Sequence, residues 1–310
     1  PGIEEAGFGR VDAGRVIDRE TARAYAESMN ILYMETSAKS GQNVNELFHE
    51  IAKLKEFSLS DLHGAFESYA RAFREDAGEP KSKAELERLS AAVGASDALA
   101  GVYEEVIASL DDPELAIGLL LRAAEIREED LGQIERAVEH YESVLELDQE
   151  HQQSADALER LFQQSERYED LARIYRRKAQ MLPSPAEQRE QLVKAAAIYE
   201  DILERPAEAI AVHQQVLEVE PGDIGSLDRL IELQMQLGRW PSLLETYESK
   251  AEVVSDPDAR KELFGAMGQV YEGQLDDSDK AIDAYQRVLD IDPDDLLALK
   301  SVDDPVVSPD

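Results

Sequence analysis

Apolar residues recur at helical spacing along most of the chain. One such set, at positions i, i+4, i+7 and i+8 of a helix face, consists of Ala137, Tyr141, Val144 and Leu145. Helix-breaking residues separate the periodic stretches, at Pro183 and Pro185, at Pro221-Gly222, at Gly238 and at Pro293. The pattern therefore predicts a succession of helices joined by short turns.

These helices belong to an internal 72-residue repeat. The segments AVEHYESVLELDQEH, AIAVHQQVLEVEPGD and AIDAYQRVLDIDPDD begin at Ala137, Ala209 and Ala281, so that neighbouring copies are equally spaced. One further step towards the N-terminus reaches AFESYARAFREDAGE at Ala65, and three units align without an insertion. Each unit is predicted to hold four helices, which form two hairpins of roughly 34 to 38 residues.

This unit resembles the tetratricopeptide repeat, whose second helix has a small residue near its start, an aromatic residue four positions later and a proline after its end. Ala281, Tyr285 and Pro293 match this pattern, and His213 occupies the aromatic position of the preceding copy. The resemblance covers about residues 58–300. It implies an all-α fold, a right-handed α-solenoid of helical hairpins in which stacked neighbours bury the apolar faces.

The resemblance also implies a binding groove on the concave side, which the first helix of each hairpin lines. The residues of these helices that are predicted to face the groove are Arg160, Gln163, Val193, Ala197, Glu200, Glu232, Met235, Gln269 and Glu272. Some members of the family hold the acidic C-terminus of a chaperone with a clamp that includes two asparagines. Residues 58–310 contain no asparagine, which disfavours that partner.

The charge of the chain narrows the choice of partner. It carries 67 acidic and 32 basic side chains, a formal net charge of −35. Such a charge repels nucleic acid and anionic membrane surfaces, and favours a protein partner with a basic or mixed surface. A plainer alternative is that the acidic residues only solvate exposed helix faces.

The segment 1–57 differs from the rest, with a net charge of −3 against −32 for the remainder. The stretch from Arg15 to Leu54 resembles the C-terminal end of a Rab-type small GTPase, with a helix over Asp18–Met29, a strand over Ile31–Thr36 and a helix over Asn43–Leu54. Its Glu35-Thr36-Ser37-Ala38-Lys39 run matches the guanine-contacting loop of that family. The resemblance implies a remnant of a nucleotide site at Ser37, Ala38 and Lys39.

The rest of a nucleotide site is missing from the sequence. A phosphate-binding loop needs a Gly-Lys pair, and the chain has none; the Asn-Lys-x-Asp motif that reads the base is also absent. We therefore expect no GTP binding by this chain alone. The final GTPase-like helix keeps the repeat register, since Ala52 aligns with Gly268 three units later. We predict that this helix caps the solenoid as part of a 1–57 segment, and that 301–310 is a disordered tail.

No catalytic, metal or cofactor chemistry is predicted. The chain has no cysteine, no HExxH motif and no GxSxG motif. The absence of cysteine favours a cytoplasmic protein. No apolar run reaches the roughly 20 residues that a membrane-spanning helix needs, so no membrane span is predicted. The sequence thus predicts a non-enzymatic scaffold for protein interactions. The alternative is a fragment of a GTPase-linked regulatory protein whose nucleotide-binding part lies outside this chain.

Overall fold

A computed structural model describes residues 44–303, with the side chain of residue 303 excepted. Within this range the backbone forms α-helices joined by short turns and three π-helical turns. The chain divides into two compact units, of which the first ends at Gln133 and the second begins at Ile134. Consecutive helices pack against each other within each unit, which is the arrangement of an α-solenoid.

The first unit contains five described helices. They are α1 (Val44–Lys53), α2 (Leu62–Glu75), α3 (Pro80–Val93), α4 (Ser96–Ile107) and α5 (Pro113–Glu125). The π-helical turns Leu54–Ser58 and Ile126–Asp130 extend α1 and α5. Odd-numbered helices are the first helices of the predicted hairpins, and even-numbered helices are the second.

The second unit contains the remaining described helices. They are α6 (Ile134–Leu147), α7 (Gln152–Gln164), α8 (Tyr168–Met181), α9 (Pro185–Ala197), α10 (Pro206–Val219), α11 (Ile224–Gln236), α12 (Trp240–Val253), α13 (Pro257–Gly273), α14 (Ser278–Ile291) and α15 (Leu296–Asp303). The π-helical turn Ile198–Ile202 extends α9. The helical hairpins expected from the internal repeat are confirmed within each unit.

Helix starts follow from local chemistry. The side chain of Asp112 accepts hydrogen bonds from the backbone N–H groups of Glu114 and Leu115, and Asp223 accepts one from Ser226. Five helices begin with a proline, which lacks the N–H that a first turn leaves unpaired: Pro80, Pro113, Pro185, Pro206 and Pro257.

The backbone conformation follows the same repeat as the sequence. Left-handed φ angles of 54°, 63°, 51° and 53° follow the longer first helices, at Ser60, Gly132, Glu204 and Asp276. A second series with φ of 67°, 56° and 64° separates the helices of the other hairpins, at Gly94, Glu166 and Gly238. Glycine adopts this conformation without the steric cost that a side chain adds. The three glycines among these seven positions are therefore unstrained, whereas the other four residues bear that cost.

The unit that ends at Gln133 has an apolar core with one buried charge. Phe73, Leu89 and Tyr103 are fully buried there. Beside them the Arg127 side chain is only 1% exposed. It donates to the Glu104 carboxylate at 2.9 and 3.0 Å and forms a further ion pair with Asp97. Such a buried guanidinium is tolerated because its donors are satisfied.

Close helix contacts explain the small residue that the repeat places within its first helices. A Cβ atom added to Gly268 would lie 2.6 Å from Cε1 of Tyr285, whose ring is buried against α13. The residues aligned with Gly268 in the earlier copies are also small and buried, namely Ala52, Ala124 and Ala196. Bulkier residues at this position would separate the two helices of a hairpin.

Some predictions fall at the edges of the described range. The predicted helix Asp18–Met29 and strand Ile31–Thr36 lie outside it, whereas the following helix is present as α1. The predicted tail, 301–310, differs from the structure at its start, because α15 runs to Asp303. The segment is helical there because Ala298 is buried against the preceding hairpin.

Candidate functional site

The residues predicted to face a groove all lie in the second unit, on its first helices or on the turn after α9. Six are exposed: Arg160, Gln163, Ala197, Glu232, Met235 and Gln269. Val193 and Glu272 are half-buried. The Glu200 side chain is only 7% exposed. The set is therefore split between exposed side chains and carboxylates that the fold itself uses.

Glu200 is bound from two sides. Its Oε1 lies 2.7 Å from Nε2 of His213 on α10. Its Oε2 accepts from Nε of Arg229 on α11 at 2.8 Å. Arg229 also donates to Oε2 of Glu232 at 2.6 Å, so one guanidinium joins two of the predicted groove carboxylates. The buried carboxylate ties three successive helical segments together.

The network continues beneath the surface. His213 Nδ1 lies 3.0 Å from Oγ of Ser226, and the Ser226 N–H donates to Asp223 at 2.8 Å. Arg189 donates to the other oxygen of Asp223 at 2.6 Å. Burial disfavours the charged form, yet the hydrogen bonds from Ser226 and Arg189 hold the pKa of Asp223 below its ordinary value. His213 thus packs in the repeat's aromatic position, as the sequence indicated.

The glutamate at the position of Glu200 recurs in every copy. Glu272, one repeat later, accepts a hydrogen bond from the Tyr285 hydroxyl at 3.0 Å. Burial and this hydrogen bond raise the pKa of Tyr285 to about 12. In the first unit, Glu56 accepts two bonds of 2.7 Å from Arg88. This position therefore joins helices to each other in both units.

Other acidic residues of the first helices are also paired. Lys178 on α8 lies 2.7 Å from Asp156 on α7 and forms a second ion pair with Glu159. The same contact recurs one copy later between Lys250 and Asp228. Part of the negative charge on this surface is consequently neutralised within the hairpins.

Apolar side chains on α11, or directly after it, are also exposed. Met235 is 48% exposed, and Ile224 and Leu237 are exposed to a similar degree at the two ends of α11. Gln269 lines a cavity of about 340 Å³ together with Ala266 and Leu297. Mixed polar and apolar contacts of this kind suit a peptide or protein surface better than a small polar substrate.

Among residues 44–303, no three His, Asp or Glu side chains are close enough together to hold a metal ion. No helix in this range is long and apolar enough to cross a bilayer. The buried His49 has its Nε2 2.6 Å from Oγ of Ser82 and 3.4 Å from Glu79, and burial lowers its pKa. It belongs to the packing of α1 against α3.

Two residues of this hydrogen-bond network were not predicted from the sequence. Arg229 and Ser226 were not singled out, although the spacing of Arg229 from Glu232 allows an ion pair on one helix. The predicted remnant of a nucleotide site, Ser37, Ala38 and Lys39, lies outside the described residues.

Comparison with protein families supports both halves of the sequence interpretation. Residues 119–151, 154–189 and 262–295 match tetratricopeptide repeats, and residues 9–56 match the Ras family. The Ras-related protein Rab-5A of Dictyostelium discoideum is 58% identical over 41 residues, which are 13% of this chain and 20% of that protein. Rab5 of Nicotiana tabacum is 54% identical over 39 residues, 13% of this chain and 20% of that protein. The chain thus spans about a fifth of the length of these relatives.

The solved structures that match this chain include two tetratricopeptide repeat proteins. YrrB, described as having an unusual peptide-binding site, is 19% identical with a TM-score of 0.30, covering 59% of this chain and 90% of its own. A tetratricopeptide repeat protein from Parabacteroides merdae is 16% identical with a TM-score of 0.31, covering 84% of this chain and 97% of its own.

Proposed function

The chain resembles a tetratricopeptide-repeat protein whose repeats follow a fragment of a Rab-type small GTPase, and we propose that it is a scaffold that binds another protein. The partner would contact the groove lined by the first helices of the repeats. The observation that carries this proposal is the exposed strip of Gln163, Ala197, Met235 and Gln269 on successive first helices of one unit. No catalytic role is proposed, and a cytoplasmic location is proposed from the cysteine-free composition.

The chemistry of the strip indicates a partner of mixed character. Met235 offers a flexible apolar contact, and thioethers adapt to irregular partner surfaces. The amides of Gln163 and Gln269 offer both donors and acceptors. The net charge of −35 favours association with a partner whose facing surface is basic or mixed. Glu200 and Glu272 are hydrogen-bonded to His213 and Tyr285 of the following helices, and they are not proposed as direct contacts of the partner.

Site-specific photo-crosslinking on the full chain tests this proposal. A photoreactive residue would replace Gln163 or Gln269 on first helices, and in matched controls Gln214 or Gln286 on second helices, all four being exposed glutamines. We expect a discrete adduct from the first-helix positions only. Its partner, once purified, should bind the parent chain at least about tenfold more tightly than Met235→Lys. Equal adducts from all four positions, or no effect of Met235→Lys, would contradict groove binding.

A second candidate function is regulation linked to a small GTPase. The match of residues 9–56 to the Ras family favours it. In this proposal, the segment is the end of a complete GTPase domain encoded upstream, and the chain alone does not bind GTP. Sequencing the gene upstream of the codon for Pro1 decides between the two: a phosphate-binding loop there supports the regulatory function, and a start codon close to Pro1 excludes it.

A further inference from the structure

One surface of the second unit differs from the acidic character of the whole chain. Arg173, Arg176 and Arg177 of α8 line a single cavity of about 470 Å³. The other residues that line it are Gln149, Glu150, Gln180 and Met181. Arg173 is already neutralised, because it donates to Glu142 and Asp170 at 2.8 Å each. This leaves the charges of Arg176 and Arg177.

Arg176 and Arg177 are hydrogen-bonded only to neutral groups. Arg176 Nε donates to the side-chain oxygen of Gln215 at 3.1 Å, and Arg177 donates to the backbone carbonyl of Leu145. Within residues 44–303, neither arginine forms an ion pair with a carboxylate. Two positive charges on one helix, held at a cavity and not neutralised, form a recognition surface for an anion.

The internal repeat shows how unusual this arrangement is for the fold. Three positions of α8 carry arginine where the aligned residues are Gly101, Glu104 and Glu105 on α4, and Glu245, Glu248 and Ser249 on α12. At the aligned place one copy later, Glu248 accepts from Arg287 at 2.8 Å in an ion pair. In α8 the charge is reversed and the partner is the neutral Gln215. The second helices of neighbouring hairpins can therefore be joined without leaving a guanidinium unpaired, and α8 departs from that arrangement.

A smaller hollow lies next to the first cavity. Its volume is about 150 Å³, and Arg176 and Gln180 line both. Ala179, Leu192 and Val219 make part of its wall apolar. We name the two cavities together the α8 cleft. It offers positive charge on one side of Arg176 and an apolar hollow on the other, so its ligand should combine carboxylates with an apolar side chain.

We propose that the α8 cleft binds a short acidic peptide segment of a partner protein. Carboxylates of the segment pair with the guanidinium groups of Arg176 and Arg177, and a neighbouring apolar side chain enters the smaller hollow. A nucleic acid fits poorly, because the chain's charge of −35 repels a long polyanion while the cleft attracts only a short one. Glu150 and Glu218, at the walls of the two cavities, limit the attraction to the same short range. None of the residues predicted to face the first-helix groove lines the cleft, so either proposal can fail alone.

Fluorescence anisotropy on the full chain tests the cleft. The probe is a labelled synthetic hexapeptide of glutamates with one central leucine, and its control has glutamine in place of glutamate. We expect the acidic peptide to bind at low ionic strength. Arg176→Gln and Arg177→Gln, tested as separate variants, should each raise the dissociation constant at least about tenfold. The matched control variant, Arg71→Gln with Arg239→Gln, removes two exposed charges elsewhere and should bind as the parent does.

Each other result overturns the proposal. It fails if the acidic peptide does not bind, if the control variant loses as much affinity, or if the glutamine peptide binds equally. Displacement of the peptide by an equal concentration of inorganic phosphate would indicate a simple anion site. Sedimentation that shows self-association of the parent chain, abolished by Arg176→Gln, would assign the cleft to a second copy of the chain. Circular dichroism of every variant confirms that a loss of binding is not a loss of fold.

Discussion

Glu200 and Glu232 contact the same guanidinium but differ in burial, which makes them a matched pair for a stability measurement. The Glu200 side chain is 7% exposed and that of Glu232 is 62% exposed, and both accept hydrogen bonds from Arg229. Replacing either with glutamine removes one negative charge and keeps the shape of the side chain. The net charge of the chain therefore changes equally in both variants.

The expected costs differ because water can replace only one of the lost contacts. Glu200→Gln turns a buried carboxylate, bound to both Arg229 and His213, into a neutral amide with one accepting oxygen in place of two. A hydrogen bond to a charged group is worth about 1.5–3 kcal/mol, and we expect a loss of about 2–3 kcal/mol. Glu232→Gln breaks an exposed pair on one helix, and should cost less than about 1 kcal/mol.

Urea unfolding followed by circular dichroism measures both costs, from the shift of the midpoint at constant slope. Losses of stability that agree to within about 0.5 kcal/mol, or a larger loss in Glu232→Gln, would show that burial does not set the strength of these two contacts. The result bears on function as well. A binding defect in a Glu200 variant would report a weakened hairpin and not a lost partner contact, so Met235 is the better place to test the groove.

Three further changes test the backbone, the buried charge and the buried histidine by the same unfolding measurement. Gly94→Ala, at φ 67°, should lose about 1–2 kcal/mol, whereas Gly101→Ala, inside α4 with open space around it, should gain about 0.5–1 kcal/mol. Arg127→Ala should lose about 3–5 kcal/mol, because it removes a buried side chain together with its two hydrogen bonds to Glu104, and Arg127→Tyr, which copies Tyr199 at the aligned position, should lose less. Burial holds the pKa of His49 below its ordinary 6.5, so the free energy of unfolding should fall as the pH drops below 6.5. His49→Gln should make this dependence on pH less steep, and an equal dependence in the two proteins would contradict the assignment to His49.

The repeat could be predicted because its signals are local. Apolar periodicity, the prolines and Gly238 mark helices and turns by the conformations that those residues allow or forbid. The left-handed residues Glu166 and Glu204 carry no such signal, since glutamate rarely adopts that conformation. They are held there by the turns on either side, which are repeated from copies where Gly94 and Gly132 occupy the aligned positions.

The side chains of the site depend on contacts between distant parts of the chain. Helical spacing places Glu200 near the groove, but its burial is decided by His213 and Arg229, which lie on two later helices. The helical period of a single segment gives no information on such partners. One signal was nevertheless present, because the residues one repeat before and one repeat after Glu200, Glu128 and Glu272, are also glutamates.

An internal repeat helps to distinguish charged residues that join helices from charged residues that are available to a partner. Composition alone does not make this distinction. A charged residue that recurs at one position in successive copies, as Glu200 and Glu272 do, sees the same helix–helix junction each time, and its contacts are with the hairpin. A charged residue that appears in one copy only, against the sign of its counterparts, is not required by the junction that the copies share. Arg176 faces Gln215 where the next copy pairs Glu248 with an arginine. The net charge of −35 therefore describes a surface whose acidic residues are in part structural, and the local reversal on α8 is more informative about a partner than the total.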